Sequence, residues 1–171
     1  STGAVALQGN VTAVGLVTFA QAYDVSMTGA TVAITNDTNF LNTGTTTLGN
    51  ATADSLTFTG GLGAVAGAIN AAGTINTTNT AADFGAITLT AAGQDLTIDT
   101  GTGAGNLTIA SITGAGGGAT NDITLISGTG TTTVTGNIAT SINNLSLQEN
   151  AATSTGAVAL QGNVTAVGLV T

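Results

Sequence analysis

The stretch GAITLTAAGQDLTIDTGTGAGNLTIASITGAGG, Gly85–Gly117, carries one phrase three times: Ile87-Thr88-Leu89, Leu96-Thr97-Ile98 and Leu107-Thr108-Ile109. Each phrase is apolar, small, apolar. Alternation with a period of two sends the outer residues to one side of a strand and the middle residue to the other. Thr and Ile suit a pleated surface buried on one side. Gly101, Gly103 and Gly105-Asn106 fall between the phrases, and both residue types accept the positive φ of tight turns. The stretch reads as short strands joined by tight corners.

The same phrase runs outward in both directions. It stands at Val5-Ala6-Leu7, Val17-Thr18-Phe19, Val25-Ser26-Met27, Val32-Ala33-Ile34 and Leu56-Thr57-Phe58. It returns at Ile123-Thr124-Leu125, Leu145-Ser146-Leu147 and Val158-Ala159-Leu160. Gly63–Gly73 is rich in Ala, but its glycines oppose a helix. The chain is expected to be all-β. Leu7, Met27, Leu48, Ile69, Leu89 and Ile109 recur every 20 or 21 residues, a spacing that suits stacked coils. After Ile109 this register is lost, and Gly114–Asn121 is either a loop or a widened corner.

Two all-β architectures compete with each other and with disorder. A sandwich fills a space about 10 Å thick, usually with a large aromatic anchor; here there is no Trp, one Tyr and four Phe. Disordered chains are poor in β-branched residues and rich in Pro, Glu and Lys, the reverse of this sequence. A parallel β-solenoid needs only a thin core of Val, Leu and Ile. The expected fold is a parallel β-helix of about seven coils, rising roughly 34 Å at about 4.8 Å per coil.

The eighteen residues STGAVALQGNVTAVGLVT at Ser1–Thr18 recur unchanged at Ser154–Thr171. Long self-identity is the mark of repeat architectures. The expected organisation is one solenoid repeat over 1–153, with 154–171 beginning the next identical copy. A segment duplicated to complete an assembly is the alternative. Either way the first expected partner is a copy of the same chain, end to end, as covalent repeats or as separate subunits. Solenoid ends need polar caps, and the Ser1 phrase has the same strand character as the interior.

Composition excludes whole classes of function. The chain has no Lys, Arg, His, Cys or Pro, and eight acids give it a formal charge of −8. Nothing can neutralise phosphates, so neither nucleic acid nor an anionic membrane surface is an expected partner. No apolar run is long enough for a membrane span, so no membrane insertion is expected. Ser-His-Asp, Cys-His, Lys-based and Arg-assisted chemistry are impossible. Only carboxylates remain for catalysis: Asp24, Asp37, Asp54, Asp83, Asp95, Asp99, Asp122 and Glu149. Asp95 and Asp99 share one strand, where four residues span roughly 13 Å, beyond the about 5–9.5 Å of paired glycosidase acids. The acids are read as solvated turn residues that keep the surface soluble, and no catalytic residue is assigned.

Three further patterns need weighing. For calcium, Thr35–Thr38 and Thr120–Asp122 offer isolated oxygens, but no EF-hand loop or Gly-rich nonapeptide is present; no metal or cofactor site is assigned. Thr45/Thr47, Thr57/Thr59, Thr88/Thr90 and Thr131/Thr133/Thr135 resemble the Thr-x-Thr pairs of ice-binding β-helices, but they do not recur at one spacing. Asn-x-Thr/Ser at Asn10, Asn36, Asn50, Asn76, Asn106, Asn144 and Asn163 is expected by chance in so Asn- and Thr-rich a chain.

The phrasing of Gly85–Gly117 resembles the repeats of very large secreted bacterial β-strand-repeat proteins, such as the filamentous-haemagglutinin-like and autotransporter adhesins. The resemblance covers nearly the whole chain and rests on composition and phrasing. It implies export, a right-handed β-helix and a place at the cell surface. The expected function is therefore structural, with no enzyme activity: a stiff, protease-resistant segment of an extracellular filament or adhesin stalk. The alternative is an adhesive segment that binds a glycan, a surface or a partner cell directly.

Overall fold

The computed structural model describes residues 3–64, 66–148 and 153–171. It contains eighteen strands and no helix among the described residues. In chain order they begin β1 (Ala4–Leu7), β2 (Val11–Ala13), β3 (Asp24–Met27), β4 (Thr31–Ile34), β5 (Thr38–Phe40) and β6 (Thr46–Leu48). The middle comprises β7 (Ser55–Phe58), β8 (Leu62–Ala64), β9 (Ile69–Ala71), β10 (Gly73–Thr77), β11 (Ala82–Leu89) and β12 (Leu96–Asp99). The last six are β13 (Leu107–Thr113), β14 (Asn121–Ile126), β15 (Thr132–Val134), β16 (Ile138–Leu147), β17 (Val158–Leu160) and β18 (Val164–Val170).

Every pairing is parallel, and the pairings fall into three ladders. The first ladder joins β1, β3, β6 and β9, then continues through the later part of β11 and β13 into the starts of β16 and β18. The second joins β2, β4, β7, β10, β12, β14 and the later parts of β16 and β18. The third joins β5, β8, the early parts of β11 and β13, β15 and β17. Each circuit of the chain visits the first, second and third ladder in turn. The result is a parallel β-solenoid of about seven turns with three faces. A sandwich of antiparallel strands is ruled out by the pairing.

Alternation builds the core. In β4, β7 and β12 the residues at every second position are buried: Val32 and Ile34, Leu56 and Phe58, Leu96 and Ile98. One apolar cluster runs from Val25 to Leu147 without interruption between coils. Two of its aromatics, Phe40 and Phe58, meet edge to face at 6.2 Å, a favoured arrangement for aromatic pairs. Several inward polar residues are satisfied near the corners, while the buried hydroxyls of Thr90, Thr153 and Ser154 have no hydrogen-bond partner. Thr100 Oγ1 donates to the Gly105 carbonyl at 2.6 Å, and Thr132 Oγ1 donates to Ser127 Oγ at 2.9 Å.

The expected register holds in part. Leu7, Met27 and Leu48 stack in the first ladder as expected, but the next members are Ala71 and Leu89, not Ile69. Ile109 stands in the third ladder, between Phe84 and Val134. The cause is variable corner length. Gly49–Asp54 widens the coil before β7, whereas only Ala72 separates β9 from β10. The Gly114–Thr120 segment is the long corner between β13 and β14. Gly63–Gly73 holds the end of β8, all of β9 and the start of β10; Val65 lies outside the described residues.

The two identical segments occupy different ladders. In the first, Val5 and Leu7 of β1 pair with Val25 and Met27 in the first ladder. In the second, Val158 and Leu160 of β17 pair with Thr132 and Val134 in the third. Val11 faces Val32 in the second ladder, and its copy Val164 faces Ile138 in the first.

Candidate functional site

At a corner the chain leaves the extended conformation, so its N–H groups fall out of the regular ladder. An N–H left without a partner would cost stability. Here the partner is a side chain one coil earlier. Oδ1 of Asn10 accepts the N–H of Thr31 at 3.1 Å, and Oδ1 of Asp24 accepts that of Thr45 at 2.7 Å. Asn79 receives Gly103 at 2.6 Å, Asp95 receives Asp122 at 2.9 Å, and Asn106 receives Thr131 at 2.9 Å. Asp122 receives Asn144 at 3.0 Å and Asn137 receives Asn163 at 3.0 Å. The separations in sequence run from 21 to 27 residues. These clasps tie coil to coil where the ladders cannot. Each contributes about 1 kcal/mol.

Most of the acids proposed from sequence serve this purpose or a local turn. Asp54 Oδ2 accepts the N–H groups of Asn50 and Ala51 and closes the wide corner before β7. Asp99 Oδ1 accepts the N–H of Gly101 at 2.7 Å, and Gly101 takes the left-handed φ of 94° that the corner requires. Asp37 accepts the side-chain amide of Asn39 at 2.9 Å. Asp122 Oδ1 accepts three donors, the Asn144 N–H and the side-chain amides of Asn143 and Asn144. Asp83 lies on β11, and Glu149 lies outside the described residues. Asp99 ends β12, and Asp95 lies just before the strand begins at Leu96, so the expected shared strand holds only Asp99. The acid brought next to Asp95 is Asp122, one coil on, through a backbone hydrogen bond. Among the described residues no three of His, Cys, Asp and Glu gather into a group that could hold a metal ion.

The Thr pairs do not share a face. Thr47 and Thr88 lie in the first ladder, Thr57 in the second and Thr133 in the third. A different set of hydroxyls does align. Thr31, Ser55, Thr74, Thr97, Thr124 and Ser146 are directly paired, coil upon coil, on the second ladder. They alternate with inward apolar residues and form one continuous file that is open from Thr31 to Thr124 and buried at Ser146. Sequence reading missed this file because corners of unequal length hide its register: Thr97, Thr124 and Ser146 are middle residues of apolar-small-apolar phrases, but Thr31, Ser55 and Thr74 each precede the first apolar residue of their strand.

One hollow of about 250 Å³ opens beside the first coil, lined by Gly3, Ala4, Val5 and Tyr23. The Tyr23 hydroxyl accepts the N–H of Phe19 at 2.9 Å. Large apolar side chains are exposed mainly at the two ends of the solenoid: Val5, Val14, Val17 and Phe19 at one, Val164, Val167, Leu169 and Val170 at the other. Comparison with protein-family models, with curated proteins and with solved structures finds no match to this chain.

Proposed function

We propose that the chain is a structural segment of an extracellular filament or stalk, in the manner of the secreted β-strand-repeat and filamentous-haemagglutinin-like proteins that its phrasing resembles. The observation that carries this reading is the continuity of the interior. One aliphatic core passes through successive coils, and corner clasps tie coil to coil at seven places between Asn10 and Asn163. Such an object transmits load along its axis through backbone hydrogen bonds, with stability built from neighbour-to-neighbour contacts.

Two further features support it. The acids whose bonds are described above hold corners, so their chemistry is already used for architecture. With no Lys or Arg, the chain offers trypsin-like proteases no cleavage site even where it frays. Export and surface display follow from this reading as proposals, as does end-to-end association with further copies of the same sequence.

Electron microscopy of the full native polypeptide, together with its mass under denaturing conditions, tests the proposal. Unbranched rods and a mass of many repeats are expected for a covalent array. Rods with a mass near one repeat would assign the same architecture to separate subunits. Compact, separate particles would overturn the reading.

A further inference from the structure

The terminal identity has a geometric consequence. Val5-Ala6-Leu7 stands on the first ladder of the first coil, and its copy Val158-Ala159-Leu160 stands on the third ladder six coils later. The offset holds where the next strand begins, whereas Ala13 and its copy Ala166 both fall in the second ladder, because β18 bends from the first ladder into the second between Val164 and Ala166. Val11 is on the second ladder and Val164 on the first; Thr18 hydrogen-bonds to β5 in the third, and Leu169 pairs with Leu145 in the second. The sequence therefore returns to its start after six coils and two faces, short of a whole number of turns. We infer that successive copies of the 1–153 unit dock on one another with a rotation of one face about the rod axis.

The segment tolerates this rotation because its instructions do not name a face. The same residues align with the neighbouring coil in both places: Leu7 and Leu160, and Ala13 and Ala166, pack partly buried against the core in both copies, while Val5 and Val164 remain exposed at the open ends. Its corner is the dipeptide Gly-Asn, which serves at all three edges of the prism. Gly9-Asn10 turns from the first ladder to the second, Gly105-Asn106 from the second to the third, and Gly136-Asn137 from the third to the first. In each case the Asn Oδ1 accepts an N–H of the following coil, from Thr31, Thr131 and Asn163 respectively. The final copy sets its own Gly162-Asn163 directly over Gly136-Asn137. At the other two edges Gly9-Asn10 lies under Gly29-Ala30 and Gly105-Asn106 under Gly130-Thr131, so the Gly-Asn corner also accepts a different partner.

The occupant of the open edge of β17 and β18 is thus the next copy of Phe19–Thr153, shifted by one face. One unit rises about 32 Å at about 4.8 Å per coil, and a given surface feature returns to the same side only after three units, about 96 Å. The Gly114–Thr120 corner would then appear on three sides of the rod in succession. This inference rests on the tandem reading proposed above.

Paired nitroxide labels on the full chain test it, since the sequence has no native Cys. Three double substitutions suffice: Thr133→Cys with Ala159→Cys, Ala139→Cys with Ala159→Cys, and Ala6→Cys with Ser26→Cys. All five positions are outward members of strands, and the first and third pairs are direct partners. Rotated docking predicts spectra broadened by close dipolar contact for Thr133/Ala159 and Ala6/Ser26, and sharp spectra for Ala139/Ala159. Broadening for Ala139/Ala159 would mean that Ala159 returned to the first ladder, a whole number of coils, and would overturn the rotation. So would sharp spectra for both Ala159 pairs. A sharp spectrum for Ala6/Ser26 would reject the solenoid itself, and with it the rod reading, which keeps the two failures distinct.

Discussion

Ser1–Thr18 and Ser154–Thr171 are the same eighteen residues in two different places. The first copy presents one edge to β3, β4 and β5; the second presents its opposite edge to β15 and β16. Val14 is 70% exposed and its copy Val167 76% exposed, so neither end hides this outward residue. What differs is the neighbour and the face. The alternation of apolar and small residues fixes which side chains enter the core. The coil already in place decides which ladder receives them.

This comparison makes quantitative demands. The largest effect is expected from the residues that receive the two copies. Met27 and Ile138 are fully buried, and each touches a terminal strand on one side and the body of the solenoid on the other. Met27→Ala and Ile138→Ala should each cost about 2–5 kcal/mol by removal of core volume, measured by denaturant unfolding. Ile138→Ala should also release the β18 amides to rapid hydrogen exchange while those of β2 stay protected. Equal exchange in both copies would deny that Ile138 supports the second one.

A sharper test uses one letter in both copies. A Cβ at Gly9 meets nothing within 4 Å, whereas a Cβ at its copy Gly162 would land on the Gly136 carbonyl. Gly9→Ala should change stability by no more than about 0.5 kcal/mol. Gly162→Ala should cost about 1–3 kcal/mol through overpacking. Because end coils open locally, the loss is best read as accelerated exchange at Thr165 and Ala166. Identical behaviour of the two variants would place the copies in equivalent surroundings and contradict the structure.

The corner clasps give the smallest expected difference. Asn10→Ala and Asn137→Ala each remove an acceptor for the next coil, at a cost of about 1 kcal/mol. Faster exchange is expected at Thr31 in the first variant and at Asn163 in the second, with the other site unmoved. A response spread evenly over both sites would show that the clasps do not act locally.

The three-residue phrases made strands, core and parallel stacking legible in the sequence, except at Val17-Thr18-Phe19, where no strand forms, Thr18 is buried and Val17 and Phe19 are exposed. Leu7, Met27 and Leu48 reveal the coil because the first two corners are nearly equal in length. Ile69 misleads because a small residue, Ala71, fills the next core position after the wide Gly49–Asp54 corner. Ile109 misleads because β13 bends through a corner without breaking, so one strand serves two ladders. The hydroxyl file from Thr31 to Ser146 and the inter-coil clasps depend on that register, and unequal corners conceal it. The expectation that the acids are solvated turn residues holds at Asp37; Asp24, Asp83, Asp99 and Asp122 lie on strands and Asp54 is buried, and the inter-coil partners of Asp24, Asp95 and Asp122, more than twenty positions away, were not legible.

Methyl-to-methyl nuclear Overhauser contacts in the full chain test the central claim most directly, because they report both copies in one experiment. The solenoid described here predicts contacts of Leu7 with Met27 and, in the same sample, of Leu160 with Val134. Contacts of Leu160 with Ile112 and Ile138 of the first ladder in place of Val134 would contradict it.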